Sequence, residues 1–108
     1  MIKKWYLSTP INGKTEKEIQ AALQRGVDWA NNRGEEYHSP YNSANAEFTE
    51  GKVLDPKPIK MLSNAIAPMD SCDGVLFIGN YEELRKSRGC QVEINIADLY
   101  GLEVLTID

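Results

Sequence analysis

The segment Gly74–Ile78, GVLFI, is apolar throughout, with no polar residue alternating through it. A strand with one solvated face alternates apolar and polar positions, so an unbroken apolar run reads as a strand buried on both faces. Such a strand needs covering elements above and below it. That requirement restricts the chain to an inner strand of a sheet with helices packed on both sides.

The flanking sequence supplies those elements. Trp5, Tyr6 and Leu7 form a short strand-prone run that stops at Ser8, Thr9 and Pro10, and Asn12-Gly13 reads as a turn. Thr15 has the character of a helix N-cap with Glu18 three residues on, and Ile19, Ala22, Leu23, Gly26, Val27 and Ala30 follow at helical spacing. This first helix is predicted to reach about Asn32. A weaker strand lies around Glu36–Ser39. Residues Pro40–Pro58 show little periodicity and read as one long loop, a length that is often functional. Ile59–Ala67 is a predicted short helix ended by Pro68, Cys90–Tyr100 a second, and Glu103–Ile107 a last strand. The order strand, helix, strand, helix, strand, helix, strand predicts an α/β chain with a parallel sheet. Right-handed crossovers favour a flavodoxin/Rossmann-like, doubly wound arrangement of about four strands in the order 2-1-3-4, layered α/β/α. With 108 residues, 42% of them hydrophobic, residues 1–108 are read as a single domain.

Composition excludes several functions. The formal net charge is -4 with both signs interspersed and no Lys/Arg run to follow a phosphate backbone, so a nucleic-acid polymer is not the expected ligand. No apolar stretch has membrane-spanning length and the N-terminal MIKKWYLSTP is too short in apolar residues for a secretory signal, which predicts a cytoplasmic protein. Cys72 and Cys90 lie in separate elements without zinc-site spacing and read as small core residues. His38, the sole histidine, has no second histidine with which to hold a metal.

One residue does not fit its helix. With Cys90 at zero and about 100° per residue, Gln91, Asn95 and Asp98 cluster between about 80° and 140° as a polar stripe. Glu93 falls at about 300°, between Tyr100 and Ala97, on the face that should be buried. A capping role is disfavoured, because Glu93 would be the third helical residue only if Cys90 were the cap, and Ser87, the better cap, is six residues away. An ion pair to Arg85 or Arg88 is the structural alternative. In a doubly wound sheet, ligands bind beyond the carboxyl ends of the strands where the winding reverses, which selects Ser8–Gly13 after strand one and Gly79–Arg88 after strand three. Glu93 leaves the second of these on the first or second turn of its helix, and a carboxylate held in such a crevice suits nucleophilic or acid/base chemistry. Ser87, Arg88 and Gly89 stand where a loop becomes a helix, with free amides that favour an anion.

YLSTPINGK near the start, CDGVLFIGN in the middle and SRGCQVEINIADLYGLEVL near the end, in that order, resemble the nucleoside 2-deoxyribosyltransferase-like proteins. These comprise deoxyribosyltransferases, deoxynucleoside monophosphate N-glycosidases and many small phage and bacterial proteins. The similarity covers both ends and is poor between about residues 41 and 60. Its most specific part is the S-x-G-x-x-x-E pattern of Ser87, Gly89 and Glu93. The resemblance implies that Glu93 is the nucleophile attacking C1′ of the sugar as the base leaves, and that Tyr6 helps to hold and orient it. It implies that Ser87, with Gly89, binds a 5′-phosphate, and that Ser8 and the backbone of Pro10, Ile11, Asn12 and Gly13 lie along the substrate. The substrate class is a deoxynucleotide or nucleoside, and the sugar chemistry needs no metal or organic cofactor.

One position departs from that pattern. The aspartate that the family uses to protonate the leaving base corresponds to Ala65, and Asn64 beside it points about 100° away. Asp70 and Asp73 precede strand three, roughly 15 Å from the crevice at its far end, which leaves Glu47, Glu50 or Asp55 in the long loop as substitutes. The alternative function is a binding protein that senses or sequesters a nucleotide without turnover. Leu62, Ile66 and Met69 recur at helical spacing, and the family's subunits pack across such helices, so a homodimer or higher homo-oligomer is expected. The loop Tyr41–Lys57 would then bring Glu47 or Glu50 toward the neighbour's Glu93.

Overall fold

The computed structural model describes residues 2–42, 48–53 and 58–108. Its main sheet has four parallel strands, β1 (Lys4–Ser8), β2 (Glu36–His38), β5 (Gly74–Ile78) and β6 (Glu103–Ile107), in the order β2-β1-β5-β6. Between β2 and β5 come a two-stranded ribbon, β3 (Phe48–Thr49) and β4 (Lys52–Val53), and helix α2 (Pro58–Ile66). Helix α1 (Glu16–Asn32) joins β1 to β2, and α3 (Tyr81–Lys86) with α4 (Arg88–Tyr100) joins β5 to β6. The strand order is the one that the alternation of elements predicts.

Alternate residues of the central strands enter two separate apolar clusters, as the two-residue period of a strand requires. Trp5, Leu7, Leu76 and Ile78 pack with Ile19, Ala22 and Leu23 of α1 and with Val53 of β4. Tyr6, Val75 and Phe77 pack with Met69, Cys72, Leu84, Cys90 and Ala97. We refer to these as the α1 side and the α4 side. All five residues of β5 are buried, as its composition demands.

The capping box at α1 is complete. Thr15 accepts from the Glu18 amide at 3.2 Å, and the Glu18 carboxylate accepts from the Thr15 amide at 3.0 Å. Gly26 lets this helix lie close on the sheet, since a Cβ there would stand 2.5 Å from the Ile78 Cδ1. Trp5 and Trp29 meet edge to face at 5.1 Å on the same side, and the Trp5 indole N–H donates to Glu35 at 3.1 Å.

Four expectations are corrected. Residues 79–88 are not a plain loop: Asn80 caps the Glu83 amide at 2.9 Å and opens the short helix α3. The stretch after Pro40 is not uniformly irregular, because Glu50 (φ 52) and Gly51 (φ 77) make a two-residue turn with both φ positive, which closes the β3–β4 hairpin. Helix α4 begins at Arg88 rather than Cys90. Ser87 is its N-cap and accepts from the Cys90 amide at 3.2 Å. Tyr100, expected on the buried face, is 77% exposed because α4 ends there, with Gly101 turning the chain away at φ 73.

Candidate active site

Strand β1 and helix α4 bring three side chains together on the α4 side. Ser8, the last residue of β1, shares a face with Tyr6 two residues earlier, and Cys90 and Glu93 lie three apart on α4 and face the strand end together. The Ser8 hydroxyl donates to Glu93 Oε1 at 2.7 Å across 85 residues of sequence. The Cys90 Sγ lies 3.5 Å from the same Ser8 Oγ. Ser8 and Glu93 are 6% and 5% exposed, and among the described residues they are the buried polar side chains of the molecule.

Glu93 is thus buried as its place on the helix predicted. The alternative ion pair does not form: Glu93 takes its hydrogen bond from Ser8, and Arg85 pairs with Glu82 at 2.9 Å. Burial pushes the Glu93 pKa up, and the Tyr6 and Ser8 hydroxyls beside the carboxyl group oppose the rise. Burial and the neighbouring Glu93 charge push the Tyr6 phenol up as well, so it stays a protonated donor. Its hydroxyl reaches the Ala65 carbonyl at 2.9 Å. Tyr6 therefore ties α2 to the sheet directly beside the carboxyl group.

The remaining predicted residues fall in two places. Ser87 and Gly89 stand at the N-terminus of α4, where Ser87 uses its side chain as the helix cap and Gly89 faces Leu62 of α2, 3.8 Å from the place a Cβ would take. The cap satisfies the Cys90 amide, and the Arg88 and Gly89 amides are the other donors of that first turn. Ile11, Asn12 and Gly13 turn toward the other side of the sheet. Ile11 packs against the α1-side cluster, Asn12 bridges Val53, and the Gly13 amide donates to the Val53 carbonyl at 2.8 Å. Pro10 lines a cleft of about 270 Å³ at the carboxyl edge on the α1 side, together with Thr9, Lys14, Arg25, Ile78 and Asp108. Glu93 is not among its walls.

Sequence reasoning did not foresee the contact of Cys90 with Ser8, nor the place of His38, whose ring centroid is 6.3 Å from that of Tyr6. The second follows from a register that pairs Tyr6 with His38, which the sequence does not state. Ala65 reaches the site through its backbone carbonyl, which accepts from Tyr6, and its side chain is a methyl group where the resemblance places an acid. Asp73 binds the Lys4 amide at 2.8 Å at the opposite, amino end of the sheet, as its position before β5 requires. Glu50 is exposed at the hairpin turn, and Glu47 and Asp55 lie outside the described residues. Of the residues expected to seek a partner subunit, Met69 is buried within the chain against the α4-side cluster, and Leu62 and Ile66 are half-buried. Among the described residues no group of His, Cys, Asp and Glu is arranged to hold a metal ion, and no helix is long and apolar enough to cross a membrane. No family model, curated protein or solved structure matches the chain.

Proposed function

We propose that this chain cleaves or transfers the N-glycosidic bond of a deoxynucleotide or nucleoside, as the nucleoside 2-deoxyribosyltransferase-like proteins do. The fold under this reading is a flavodoxin/Rossmann-like, doubly wound, three-layer single domain, and the protein works in the cytoplasm as a homodimer or higher homo-oligomer. The observation that carries the reading is Glu93 itself: a carboxyl group 5% exposed, at the carboxyl end of a parallel sheet, hydrogen-bonded by a strand residue and flanked by a tyrosine.

In the first step Glu93, ionised, attacks C1′. The C1′–N bond breaks with its electron pair leaving on the base, and an ester joins Glu93 to the sugar. Water, which gives up a proton to the departed base or to solvent, or a second base through a ring nitrogen then attacks C1′, and the C1′–O bond breaks with its electron pair returning to the Glu93 carboxylate. The cap residue Ser87 and the amides of Arg88 and Gly89 offer donors for a 5′-phosphate at the positive end of the α4 dipole. Tyr6, bonded to Ala65, keeps α2 against the reacting carboxyl. Incubating deoxynucleotides of each base with the wild type and with Glu93→Ala tests the reading: base release by the wild type alone is expected. Release by neither protein, or equally by both, sinks it.

The side chain at position 65 favours a second reading, a nucleotide-binding protein without turnover, because a methyl group cannot protonate a leaving base. Calorimetry with intact deoxynucleotides followed by recovery of the ligand separates the two. Unaltered ligand after tight binding supports the second, and hydrolysed ligand the first. Under the second reading, Ala65→Asp is expected to create base release where the wild type has none.

A further inference from the structure

We propose that Ser8 is a positioning residue for Glu93: backed by Cys90, its hydroxyl holds Oε1 of the carboxylate and commits the other oxygen, Oε2, to the reacting carbon. This rests on the glycosidase reading for the identity of the reaction. The geometry of the three groups stands apart from it.

An ionised carboxylate only accepts hydrogen bonds, so in the reactive state the single Ser8 proton points at Oε1, 2.7 Å away. The lone pairs of the Ser8 Oγ then face the Cys90 Sγ, 3.5 Å away, and the thiol becomes the donor. Burial raises the Cys90 pKa, which keeps that proton in place. The result is a directed chain, Sγ–H to Oγ–H to Oε1, that runs one way only while Glu93 is charged. Protonation of Glu93 removes the demand that fixes its direction.

Each member sits on a rigid support. Ser8 belongs to β1 in the interior of the sheet, in register with Phe77 of β5. Cys90 is held through its amide by the Ser87 cap at 3.2 Å, and Glu93 follows it by three residues on the same helix face. Other groups bear on Glu93 from the elements around it. Tyr6 comes from β1, with His38 of β2 beside its ring and Cys72 within reach of its phenol. The Ala65 carbonyl comes from α2, while β5 brings only Val75 and Phe77 to this side. A hydroxyl whose one proton is committed to Glu93 has none to give to a substrate. This sets the role of Ser8 apart from substrate binding.

The test is the carboxyl titration of Glu93, followed by carbon NMR of protein labelled at glutamate and assigned by its loss in Glu93→Gln. Ser8→Ala is expected to move the midpoint upward, because a bond to the charged form is removed, and Ser8→Thr is expected to return it toward the wild-type value. Cys90→Ala, which leaves Ser8 in place, is expected to move it in the same direction by less. In turnover, Ser8→Ala is expected to lower kcat by about ten- to a hundredfold with KM little changed, as for loss of a hydrogen bond to a charged group. The rising limb of its pH profile moves up with the midpoint. A folded Ser8→Ala protein with an unmoved midpoint, or one that raises KM with kcat and pH profile intact, overturns the proposal. Because the titration needs no substrate, a wild type that releases no base removes the glycosidase reading and leaves Ser8 to be judged on the midpoint.

Discussion

Strand β1 serves two regions of opposite character. Trp5 and Leu7 enter the α1 side, where Ile19, Ala22, Leu23, Leu76 and Ile78 surround them in an apolar cluster. Tyr6 and Ser8 enter the α4 side, where a carboxyl group, two thiols and a phenol are packed among Val75, Phe77 and Ala97. Four consecutive residues therefore build a core that can only contribute stability and one that carries buried polar groups at a cost. A parallel strand, with neighbours on both faces, keeps the two apart by alternation alone. Substitutions on one side should move stability without touching the carboxyl titration, and those on the other should move both.

The most demanding test of this division is Glu93→Ala. The glycosidase reading expects its loss to reduce base release by at least about a thousandfold, on the order of 4 kcal/mol in the barrier, in a single-turnover assay. Next in size is Leu7→Ala on the opposite side, expected to cost about 3 kcal/mol in urea unfolding for the cavity it leaves, with the Glu93 midpoint unchanged. A shifted midpoint there would show that the two sides are coupled. Tyr6→Phe is expected to cost about 1 kcal/mol by taking the donor from the Ala65 carbonyl, and to raise the Glu93 midpoint because the phenol proton can turn from that carbonyl to the ionised carboxylate. Loss of stability alone would place Tyr6 with the structural residues.

Glu93→Gln sharpens the comparison in the other direction. The folded carboxyl holds its proton more tightly than a solvated one at 4.5, so its contribution to stability is whole below that pH and declines as pH rises through the folded value. Replacing it with a neutral amide removes the decline. The variant is expected to melt at or near the wild-type temperature at pH 4 and above it at pH 7, and the opposite ordering at pH 7 would contradict the cause assigned to the raised pKa. The smallest effect belongs to the α1 side: Thr15→Ala removes the capping box and is expected to cost about 0.5 kcal/mol in thermal unfolding at every pH.

What the sequence made legible follows from the range of the interactions. Gly74–Ile78 announces its burial in its own composition, and Thr15 with Glu18 announces a helix start three residues apart. The burial of Glu93 was readable because helical periodicity alone places it among apolar neighbours. Its partner Ser8 was not, since 85 residues separate them and no local pattern records the contact. Helix α3 carried its own signal in Asn80 and Glu83, which a run of only six helical residues made easy to read as loop. The β3–β4 hairpin turns on Glu50-Gly51, in which a non-glycine residue takes a positive φ that asparagine or glycine more often fills. Tyr100 shows the limit of periodicity: the wheel fixes an angle, and the end of the helix decides whether anything lies opposite it.

The edge-to-face meeting of Trp5 and Trp29 has an optical consequence. They are the two tryptophans of the chain, both on the α1 side, with ring centroids 5.1 Å apart at 86°. Their electronic transitions are coupled at that distance, so the far-ultraviolet dichroism carries a contribution that vanishes when α1 leaves the sheet. Emission reports the same event and is silent about the carboxyl group on the far side. Carbon NMR of the Glu93 carboxyl group in glutamate-labelled protein reports that group and is silent about the indoles. Recorded together during unfolding, the two signals show whether the two halves of the core melt in one step or in sequence.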